Sequence, residues 1–415
     1  MANVNYSPDG AEFGKKKIRI KNGATQNSGV RIKNGATQNS GSSWFTSPDI
    51  MVIGARGIPG VEGGAEKNAE KVFPLLVERG YSIEVVGINR YICESTFKGV
   101  ALTGLPTTDI MKSDKVIYNF LAFFYALIKR PKLVHLQGIN GCLFLCFYKL
   151  FGLRVVLRLG SSDADFNKWG GFGQAIIRFC EYQIRFADQV IAVSESIKNY
   201  LITKKLVRHV HVIPNGIDPV EVTLEAEAYW SNLGLEKGKY VLAVGRLTVD
   251  KDFETLIKAV GMLADDGTKL VIVGGPDEKA YGERLLALGN ERIKFTGCID
   301  RSLLPVLYSN CAIYAHSSRH EGLSNAVLEA ISYSCPLVVS DIPANLEMPL
   351  NKLSYFPVGE AQVLAQKLEE ALNKPSEFVA NAGNFCDWLT VAERTEKIYK
   401  SIFEKSTFHS FVGSS

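Results

Sequence analysis

Two basic side chains stand where a chain of this pattern could bind phosphate. Arg246 follows the apolar run Tyr240–Val244 after a single glycine, and Lys251 lies on the next loop, ahead of a helical pattern that starts at Phe253. Two cations at the end of a strand can hold a diphosphate and neutralise the charge that grows on it as it leaves. A pair of solvated surface cations would show the same spacing, so the spacing leaves both interpretations open.

A second group of candidate residues lies in the segment HEGLSNAVLE, residues 320–329. Gly322 allows close approach to the backbone, and Ser324 is predicted to cap the helix that follows. Glu321 falls on the loop before this helix, whereas Glu329 lies inside an otherwise apolar helical run, where a carboxylate needs partners. The hydroxyl pairs of a ribose or a hexose could supply them, and a buried arginine or solvent is the alternative for Glu329.

A glycine-rich loop follows the first expected strand, Ile50–Ile53, and ends at Gly63 and Gly64. A strand, a glycine loop and a helix start together favour an anion site, because free backbone N–H groups and the helix dipole face the ligand. The spacing matches neither the GxGxxG fingerprint of dinucleotide-binding proteins nor the P-loop, which disfavours a dehydrogenase. A loop that merely turns the chain is the alternative.

No residue pattern demands a metal or a cofactor. His316 and His320 are four residues apart but lack the glutamate of an HExxH site, so we expect no metal there. The eight cysteines are dispersed without a CxxC pair, which argues against a zinc ribbon and against a secreted disulfide framework. We expect reduced cysteines that are buried as small hydrophobic side chains.

Short apolar runs, mostly β-branched, alternate with amphipathic patterns from Ile50 onward, which predicts parallel sheets with helices on both faces. Two doubly wound, Rossmann-like domains account for the number of strand–helix units, with the turn-rich segment 214–219 between them. We expect a first domain at 47–220, a second at 221–384 and a closing helix and tail at 385–415 that crosses back. The expected strands are Ile50–Ile53, Ile83–Val86, Leu133–His135, Val155–Leu159, Val190–Val193, His211–Ile213, Tyr240–Val244, Leu270–Val273, Ile293–Phe295, Ala312–Tyr314 and Leu337–Val339.

The positive charge of the chain is concentrated at one end. Of 415 residues with a formal charge of +4, residues 1–46 contain seven basic and two acidic side chains, which leaves the remainder at −1. The sequence RIKNGATQNSG occurs at 19–29 and again at 31–41, and its polar composition predicts a flexible basic tail. A nearly neutral folded part argues against a nucleic-acid partner.

Two apolar segments, 116–128 and 142–153, are too short to span a bilayer, which takes about 20 residues. We expect buried or interfacial helices, and a peripheral contact with a membrane is a further hypothesis.

The motifs together resemble those of a retaining glycosyltransferase of family 4, group 1 type, with the GT-B fold, as used in bacterial surface-polysaccharide and lipopolysaccharide biosynthesis. The resemblance runs from about Ile50 to about Tyr399. It rests on Gly63-Gly64-Ala65-Glu66, Val212-Ile213-Pro214-Asn215-Gly216-Ile217-Asp218, Val244-Gly245-Arg246-Leu247 with Lys251, and the segment from Glu321 to Glu329.

The resemblance implies roles for these residues. Arg246 and Lys251 would bind the donor diphosphate, Glu321 the transferred sugar and Glu329 the ribose, with Arg246, Lys251 and Glu321 acting in catalysis. Other implied donor-binding residues are Gly63, Gly64, Gly322, Leu323 and Ser324. Many relatives carry a histidine before glycine in the first domain, where this chain has Leu159-Gly160. Ser162 or Asp163 could replace that contact with the sugar.

The expected activity is therefore metal-independent transfer of a hexose from a nucleoside-diphosphate sugar, with retention, to a growing glycan, expected to be linked to a polyprenyl lipid. We expect a cytoplasmic protein that works at the inner face of the cytoplasmic membrane. A sugar-nucleotide epimerase has the same two-domain architecture and remains the alternative from another class.

Overall fold

A computed structural model describes residues 47–108, 114–161, 171–204, 206–218, 222–264 and 267–412. Within these ranges the chain forms fourteen strands, whose bounds are β1 Ile50–Ile53, β2 Ile83–Ile88, β3 Thr96–Phe97, β4 Val100–Leu105, β5 Leu133–Gln137, β6 Val155–Leu159, β7 Gln189–Ala192, β8 His211–Val212, β9 Tyr240–Val244, β10 Lys269–Val273, β11 Ile293–Gly297, β12 Ile313–His316, β13 Leu337–Ser340 and β14 Tyr355–Phe356.

The α-helices of the described residues lie between the strands or after the last of them. Their bounds are α1 Gly64–Glu78, α2 Asp114–Lys129, α3 Leu145–Leu150, α4 Gly171–Gln183, α5 Glu195–Thr203, α6 Leu224–Asn232, α7 Phe253–Met262, α8 Lys279–Leu286, α9 Leu304–Asn310, α10 Asn325–Ser332, α11 Pro343–Leu346, α12 Ala361–Asn373 and α13 Trp388–Val412.

The strands form two sheets, and we call the layers around them the first and the second lobe. The first sheet has the order β3-β4-β2-β1-β5-β6-β7-β8 and the second the order β11-β10-β9-β12-β13-β14. Every pairing is parallel except that of the short β3 with β4. In each sheet the chain adds strands first toward one edge and then toward the other, and this switch of strand order lies between β1 and β5 in the first sheet and between β9 and β12 in the second. The predicted fold class, two doubly wound, Rossmann-like α/β domains, is confirmed.

Each of the eleven expected strands corresponds to a strand of the structure, with ends that differ by at most two residues. Three strands were not expected. β3 and β4 form a hairpin around Gly99, which has a φ of 81°, and β14 is only two residues long. The short edge strands β3 and β14 lack the apolar run by which the longer ones are recognised, and the run of β4 is interrupted by Thr103 and Gly104.

The last helix packs on the first lobe. Trp388, Val391 and Tyr399 of α13 belong to the same buried cluster as Val52 of β1 and Phe73 of α1. The apolar residues of α13 recur at three- and four-residue spacings, which places them on one face of the helix. The chain therefore crosses back from the second lobe and covers one face of the first sheet.

A hydrogen bond of the Tyr399 hydroxyl fixes α13 to the first lobe. Its oxygen lies 2.6 Å from Nδ1 of His135 in β5, and both side chains are buried. Burial, with a smaller contribution from Arg158, lowers the pKa of His135 to about 3, so the imidazole is neutral. The pair is thus a neutral hydrogen bond inside the first lobe.

Replacing Tyr399 by alanine tests this packing. The change removes a fully buried ring and leaves His135 without its partner, so we expect the free energy of unfolding to fall by about 3 kcal/mol or more. Leu389→Ala on the same helix, where the side chain is 48% exposed, should cost less than about 0.5 kcal/mol. Equal losses in urea denaturation would contradict the placement of α13.

Candidate active site

The candidate cations lie at the point where the second sheet reverses its strand order. Arg246 and Lys251 follow β9, and Glu321 follows the neighbouring strand β12. In open α/β sheets, ligands bind outside the carboxyl ends of the strands at this reversal. The topology therefore brings residues from two distant parts of the sequence, 246–251 and 321, to one edge of one sheet.

Lys251 and Glu321 contact each other directly through Nζ and Oε1. The hydroxyl of Ser318 donates to the same oxygen at 3.1 Å, and Nε2 of His316 lies 3.4 Å from it. Burial raises the pKa of Glu321, but the charge of Lys251 and the hydrogen bond from His316 outweigh it and hold that pKa well below its usual range. Glu321 is therefore an ionised acceptor at neutral pH.

The orientation of His316 follows from its second nitrogen. Nδ2 of Asn345 lies 3.3 Å from Nδ1 of His316 and also donates to the carbonyl oxygen of Ser340 at 2.8 Å. An amide N–H pointing at Nδ1 requires that nitrogen to be the acceptor, so the proton of the ring is on Nε2, facing Glu321. Burial lowers the pKa of His316, which keeps it neutral.

The loop that carries Lys251 is held by the segment after β12. The hydroxyl of Ser317 donates to the carbonyl oxygen of Lys251 at 2.8 Å. The backbone N–H of Arg319 donates to the carbonyl oxygen of Asp250 at 2.7 Å. The guanidinium of Arg319 pairs with Asp252 at 2.9 Å, where the backbone is left-handed with a φ of 48°. These contacts fix the ammonium of Lys251 relative to Glu321.

Arg246 is more accessible than Lys251. Its side chain is 60% exposed and pairs through Nη1 with Asp277, which lies on the loop after β10, at 2.8 Å. The described contacts therefore join Lys251 to Glu321 but give Arg246 a different carboxylate. Arg246 remains at the same edge of the sheet, with its guanidinium open to solvent.

The glycines mark close approaches between the lobes. A methyl group on Gly322 would collide with the carbonyl oxygen of Gly160, which follows β6 of the first lobe, and one on Gly64 would lie 3.3 Å from Nδ2 of Asn325 in α10. Gly63 has a φ of 135°, a conformation that side chains disfavour. The first turns of α1 and α10 therefore meet at the junction, beside Glu321.

Lys67 in the first turn of α1 is a candidate site residue that the sequence analysis missed. Its ammonium is buried, with Oδ2 of Asp218 at 2.6 Å and Oε1 of Glu329 at 2.7 Å. Arg301 approaches the same oxygen of Glu329 at 3.3 Å, and the hydroxyl of Tyr308 donates to the other at 3.1 Å. Glu329 thus has cationic partners from both lobes rather than a single buried arginine.

Asp218 also forms an ion pair with Lys71, whose Nζ lies 2.7 Å from Oδ1. Burial raises the pKa of Asp218, but the two lysines outweigh it and lower that pKa below its usual range. The only sequence signal for Lys67 was its position next to Gly63-Gly64-Ala65-Glu66. Its partner Glu329 is 262 residues away, so spacing could not have paired them.

A second polar connection joins the lobes. Nη2 of Arg158, buried in β6, donates to Oδ1 of Asn215 at 2.7 Å, and Nδ2 of Asn215 donates to Oδ1 of Asn325 at 2.7 Å. Burial lowers the pKa of Arg158 to about 10. Because Asn325 is the first residue of α10, this chain of hydrogen bonds places the helix start next to the first sheet.

Two further predictions concern the start of α10. Ser324 stands at the predicted cap position, but its side chain makes no capping hydrogen bond, so that detail is wrong; it is buried where the helix meets the first lobe. Leu323 packs against the buried clusters of both lobes. Ser162 and Asp163, the expected substitutes for a histidine, lie outside the described residues.

The described ranges hold neither a cluster of metal ligands nor a helix that could span a membrane. They contain no cluster of three or more His, Cys, Asp or Glu side chains arranged to hold a metal ion. Among the helices placed there, none combines the length and the apolar character needed to cross a membrane.

Cys142, Cys180 and Cys335 are buried as expected, whereas Cys93 and Cys298 are exposed, so the expectation of burial is wrong for these two.

The chain matches two family models in succession. Residues 62–221 match Glycosyltransferase Family 4, and residues 227–384 match Glycosyl transferases group 1. The first match covers Gly63 and Gly64 at the end of the glycine loop and the strands of the first sheet that follow β1, and the second covers Arg246, Lys251, Glu321 and Glu329.

Several curated proteins are similar to parts of the chain. An uncharacterized glycosyltransferase of Methanocaldococcus jannaschii is 29% identical over 52% of this chain and 60% of its own length. The amylovoran biosynthesis glycosyltransferase AmsD of Erwinia amylovora is 28% identical over 67% and 77%. The N,N'-diacetylbacillosaminyl-diphospho-undecaprenol alpha-1,3-N-acetylgalactosaminyltransferase of Campylobacter jejuni is 29% identical over 46% and 53%. The match thus spans about half to three-quarters of these relatives.

Solved structures share the fold over most of the chain. A sucrose-phosphate synthase of Thermosynechococcus elongatus superposes with a TM-score of 0.71 at 19% identity, over 86% of this chain and 99% of its own. Anabaena Alr3699/HepE, in complex with UDP and glucose, gives a TM-score of 0.67 at 19% identity, over 85% of this chain and the whole of its own. At these identities the likeness establishes the fold alone.

The ionisation of Glu321 should be visible in the pH dependence of stability. Its pKa is lower in the folded than in the unfolded chain, so its contribution is present at neutral pH and is lost as the pH falls below the ordinary carboxyl value of about 4.3. Between about pH 6 and about pH 3.3, the free energy of unfolding should therefore fall less in Glu321→Gln than in the parent chain, by about 1 kcal/mol. Urea denaturation at both pH values measures this, with the exposed Glu291→Gln as control; an unchanged pH dependence in Glu321→Gln would count against the ionised pair.

Proposed function

Because the chain belongs to the GT-B glycosyltransferases with family 4 and group 1 domains, we propose that it transfers a hexose from a nucleoside-diphosphate sugar to a glycan acceptor. The observation that carries the proposal is the charge cluster at the reversal of the second sheet. Lys251 is fixed beside the ionised Glu321, and Arg246 stands accessible at the same edge. This arrangement offers cations for a diphosphate and an acceptor for sugar hydroxyls.

The diphosphate of the donor would lie against Arg246 and Lys251. A guanidinium can bind two phosphate oxygens at once, whereas an ammonium acts as a compact point charge. Asp277 is the present partner of Arg246 and is itself exposed, so phosphate can replace it at little cost. Lys251 can bind an oxygen of the diphosphate without leaving Glu321, because an ammonium has three N–H donors.

The sugar hydroxyls would donate to Glu321. One of its oxygens already receives Lys251, Ser318 and His316, so the carboxylate is oriented before any substrate arrives. A carboxylate fixed in this way does not have to reorganise in the transition state. Gly322, Leu323 and Ser324, which are predicted to bind the donor, would supply backbone contacts beside it.

The ribose would be bound by Glu329. Among the described contacts, its Oε2 accepts a hydrogen bond only from the hydroxyl of Tyr308, whereas Oε1 is paired with the cations of Lys67 and Arg301. A carboxylate oxygen accepts two hydrogen bonds, so Oε2 has room for a ribose hydroxyl. Gly63 and Gly64, at the start of α1, would face the donor phosphates and the acceptor.

The proposed chemistry is displacement with retention. The bond between the anomeric carbon and the diphosphate oxygen breaks, and the acceptor hydroxyl oxygen bonds to the same face of that carbon while its proton passes to the departing phosphate oxygen. Arg246 and Lys251 stabilise the charge on the leaving diphosphate, which is the role that a metal ion fills in other enzymes. We therefore propose metal-independent transfer and no cofactor beyond the donor.

The acceptor is proposed to be a growing, lipid-linked glycan. Support comes from the names of two relatives, one for amylovoran biosynthesis and one for a diphospho-undecaprenol acceptor. A lipid-linked acceptor would place the enzyme in the cytoplasm at the inner face of the cytoplasmic membrane, in bacterial surface-polysaccharide assembly. The nucleotide is to be found by thermal shift with UDP-, GDP-, dTDP- and ADP-sugars, because a bound ligand stabilises the native state.

Substitutions in the charge cluster test the proposal. With the donor so identified, Arg246→Ala and Glu321→Gln should each lower the turnover of donor roughly a hundredfold or more, because each removes stabilisation of the transition state. Arg284→Ala is the matched control, since Arg284 is also an exposed arginine of the second lobe paired with a carboxylate, at 3.5 Å from Glu254. It should change turnover by less than about twofold.

Near-parental turnover by a folded Glu321→Gln chain would refute the assignment of Glu321. Loss of activity in Arg284→Ala equal to that in Arg246→Ala would show a general effect of charge rather than a diphosphate site. Release of the nucleoside diphosphate in the presence of added EDTA, at the rate seen without it, is the result expected for metal-independent transfer.

A further inference from the structure

Lys67 is a buried cation to which the proposed chemistry gives no part. Its side chain is 4% exposed and lies at the start of α1, four residues after Gly63. A lysine is seldom buried so completely unless its charge is paired. The ion pairs with Asp218 and Glu329 supply that pairing, and the second of them reaches the carboxylate that is proposed to bind the ribose.

The two helices that meet at this ion pair present matching faces to each other. Lys67 and Lys71 are one turn apart in α1, and Asn325 and Glu329 are one turn apart in α10, so each pair lies on one side of its helix. Asn215 contacts Asn325 at 2.7 Å, and Lys67 contacts Glu329 one turn further along. The side of α10 that carries Glu329 therefore faces the first lobe.

Lys67 is held by a carboxylate that is itself fixed. Oδ1 of Asp218 accepts a hydrogen bond from Nε1 of Trp388 at 3.1 Å, and the side chain of Trp388, at the start of α13, is buried. The same oxygen pairs with Lys71, whereas Oδ2 pairs with Lys67. Because Asp218 is held on both oxygens, it restricts the position of the Lys67 ammonium.

The contacts of Glu329 differ between its two oxygens. Oε1 pairs with Lys67 at 2.7 Å and with Arg301 at 3.3 Å, whereas Oε2 accepts the hydroxyl of Tyr308 at 3.1 Å. The side chain of Arg301 is 30% exposed, so Lys67 is the more firmly packed of the two cations. The carboxylate is therefore oriented from the first lobe, and Oε2 keeps the capacity for one more hydrogen bond.

We propose that Lys67 is a positioning residue for nucleotide recognition: it fixes Glu329 so that Oε2 accepts a hydrogen bond from a ribose hydroxyl, and selectivity for nucleotides with these hydroxyls depends on it. The inference rests on the proposed function, because it takes Glu329 as the residue that binds the ribose. Lys67 acts through Glu329 and does not touch the nucleotide. A carboxylate that is oriented in advance binds a hydroxyl without the entropic cost of ordering its side chain.

The position of Lys67 in α1 gives this role a geometric consequence. Gly63 and Gly64, which are proposed to face the donor phosphates, lie within one turn of Lys67. The helix backbone between them is fixed by its hydrogen bonds, including that from the N–H of Lys67 to the carbonyl oxygen of Gly63 at 2.9 Å. The first lobe would thereby set the distance between the bound phosphates and the bound ribose, although Glu329 belongs to the second lobe.

A purely structural ion pair is the competing interpretation. Loss of such a pair would misplace α10 and weaken the binding of every nucleotide alike, whereas loss of a positioning residue weakens only the binding of nucleotides that carry ribose hydroxyls. Replacement of Lys67 leaves neither carboxylate without a partner. The contacts that remain are those of Lys71 and Trp388 with Asp218, and those of Arg301 and Tyr308 with Glu329.

Titration calorimetry with nucleoside diphosphates tests the positioning role without an acceptor. UDP, GDP, dTDP and ADP are each compared with the 2′,3′-dideoxynucleoside diphosphate of the same base. The parent chain should bind one of the four at least about tenfold more tightly than its dideoxy counterpart, because the counterpart lacks a hydrogen bond to a charged group. In Lys67→Met this ratio should fall below about threefold, while the Kd of the dideoxy counterpart should change by less than about twofold.

Two further variants accompany Lys67→Met. Asp218→Asn keeps the size of the side chain but removes the charge that holds Lys67, so it should lower the ratio in the same direction, and it decides the question should Lys67→Met not fold. Lys71→Met is the matched control. Lys71 pairs with the same Asp218 from the next turn of α1, and its described contacts do not include Glu329, so the parent ratio should be kept.

The outcomes separate this inference from the proposed function. Equal weakening of both nucleotides in Lys67→Met, or the parent ratio in either Lys67→Met or Asp218→Asn, would overturn the positioning role and leave the nucleotide binding of the parent chain intact. A parent chain that binds dideoxy and ordinary nucleotides equally well would overturn it as well, because Glu329 would then not bind the ribose. A parent chain that binds none of the four would overturn the proposed function together with the inference.

Discussion

The buried ammonium of Lys67, between Asp218 and Glu329, is the interaction on which the arrangement of the two lobes depends. A charge can be buried only when opposite charges and hydrogen bonds surround it, and removing one partner of such a group typically costs about 3–5 kcal/mol. Three segments from different parts of the chain must therefore meet: the start of α1, the junction between the lobes, and α10. Few other packings of these segments would satisfy all three charges.

This constraint also positions the chemistry. Once α1 and α10 are joined, Gly64 lies against Asn325, and Gly322 lies against the backbone of Gly160. The loop between β12 and α10 is then held at the first lobe, with Glu321 beside Lys251 at the reversal of the second sheet. A glycine is needed at 322 because a side chain there would occupy the space of the Gly160 backbone, and at 64 a side chain would be in tight contact with Asn325. The same contacts that close the fold orient the residues proposed to bind the donor.

The sequence was sufficient for features that depend on local pattern. Apolar runs separated by turns predicted both parallel sheets, and the position of Arg246 and Lys251 after a strand placed them at the edge where ligands bind. Side-chain pairing could not be predicted in the same way. Lys67 and Glu329 are 262 residues apart, and nothing in the apolar run around Glu329 indicates which cation will reach it. The ion pair of Arg246 with Asp277 likewise could not be predicted, because Asp277 follows a different strand.

One wrong prediction and one alternative left open have the same physical origin. Ser324 has the residue type and position of a helix cap, yet the start of α10 is packed against the first lobe and its hydroxyl makes no capping bond. The apolar segment 116–128 was expected to be buried or interfacial, and the structure places Tyr118 and Phe123 in the core but leaves Phe120 and Phe124 exposed. Local pattern identifies the element, but only the tertiary neighbours decide what each face contacts.

A crystal structure of the chain with the nucleoside-diphosphate sugar that stabilises it most would test the central claim directly. The account predicts that the diphosphate lies within hydrogen-bond distance of Arg246 and Lys251, with the ribose at Glu329 and the hexose at Glu321. A donor bound elsewhere, with these four side chains keeping only their present protein partners, would contradict it.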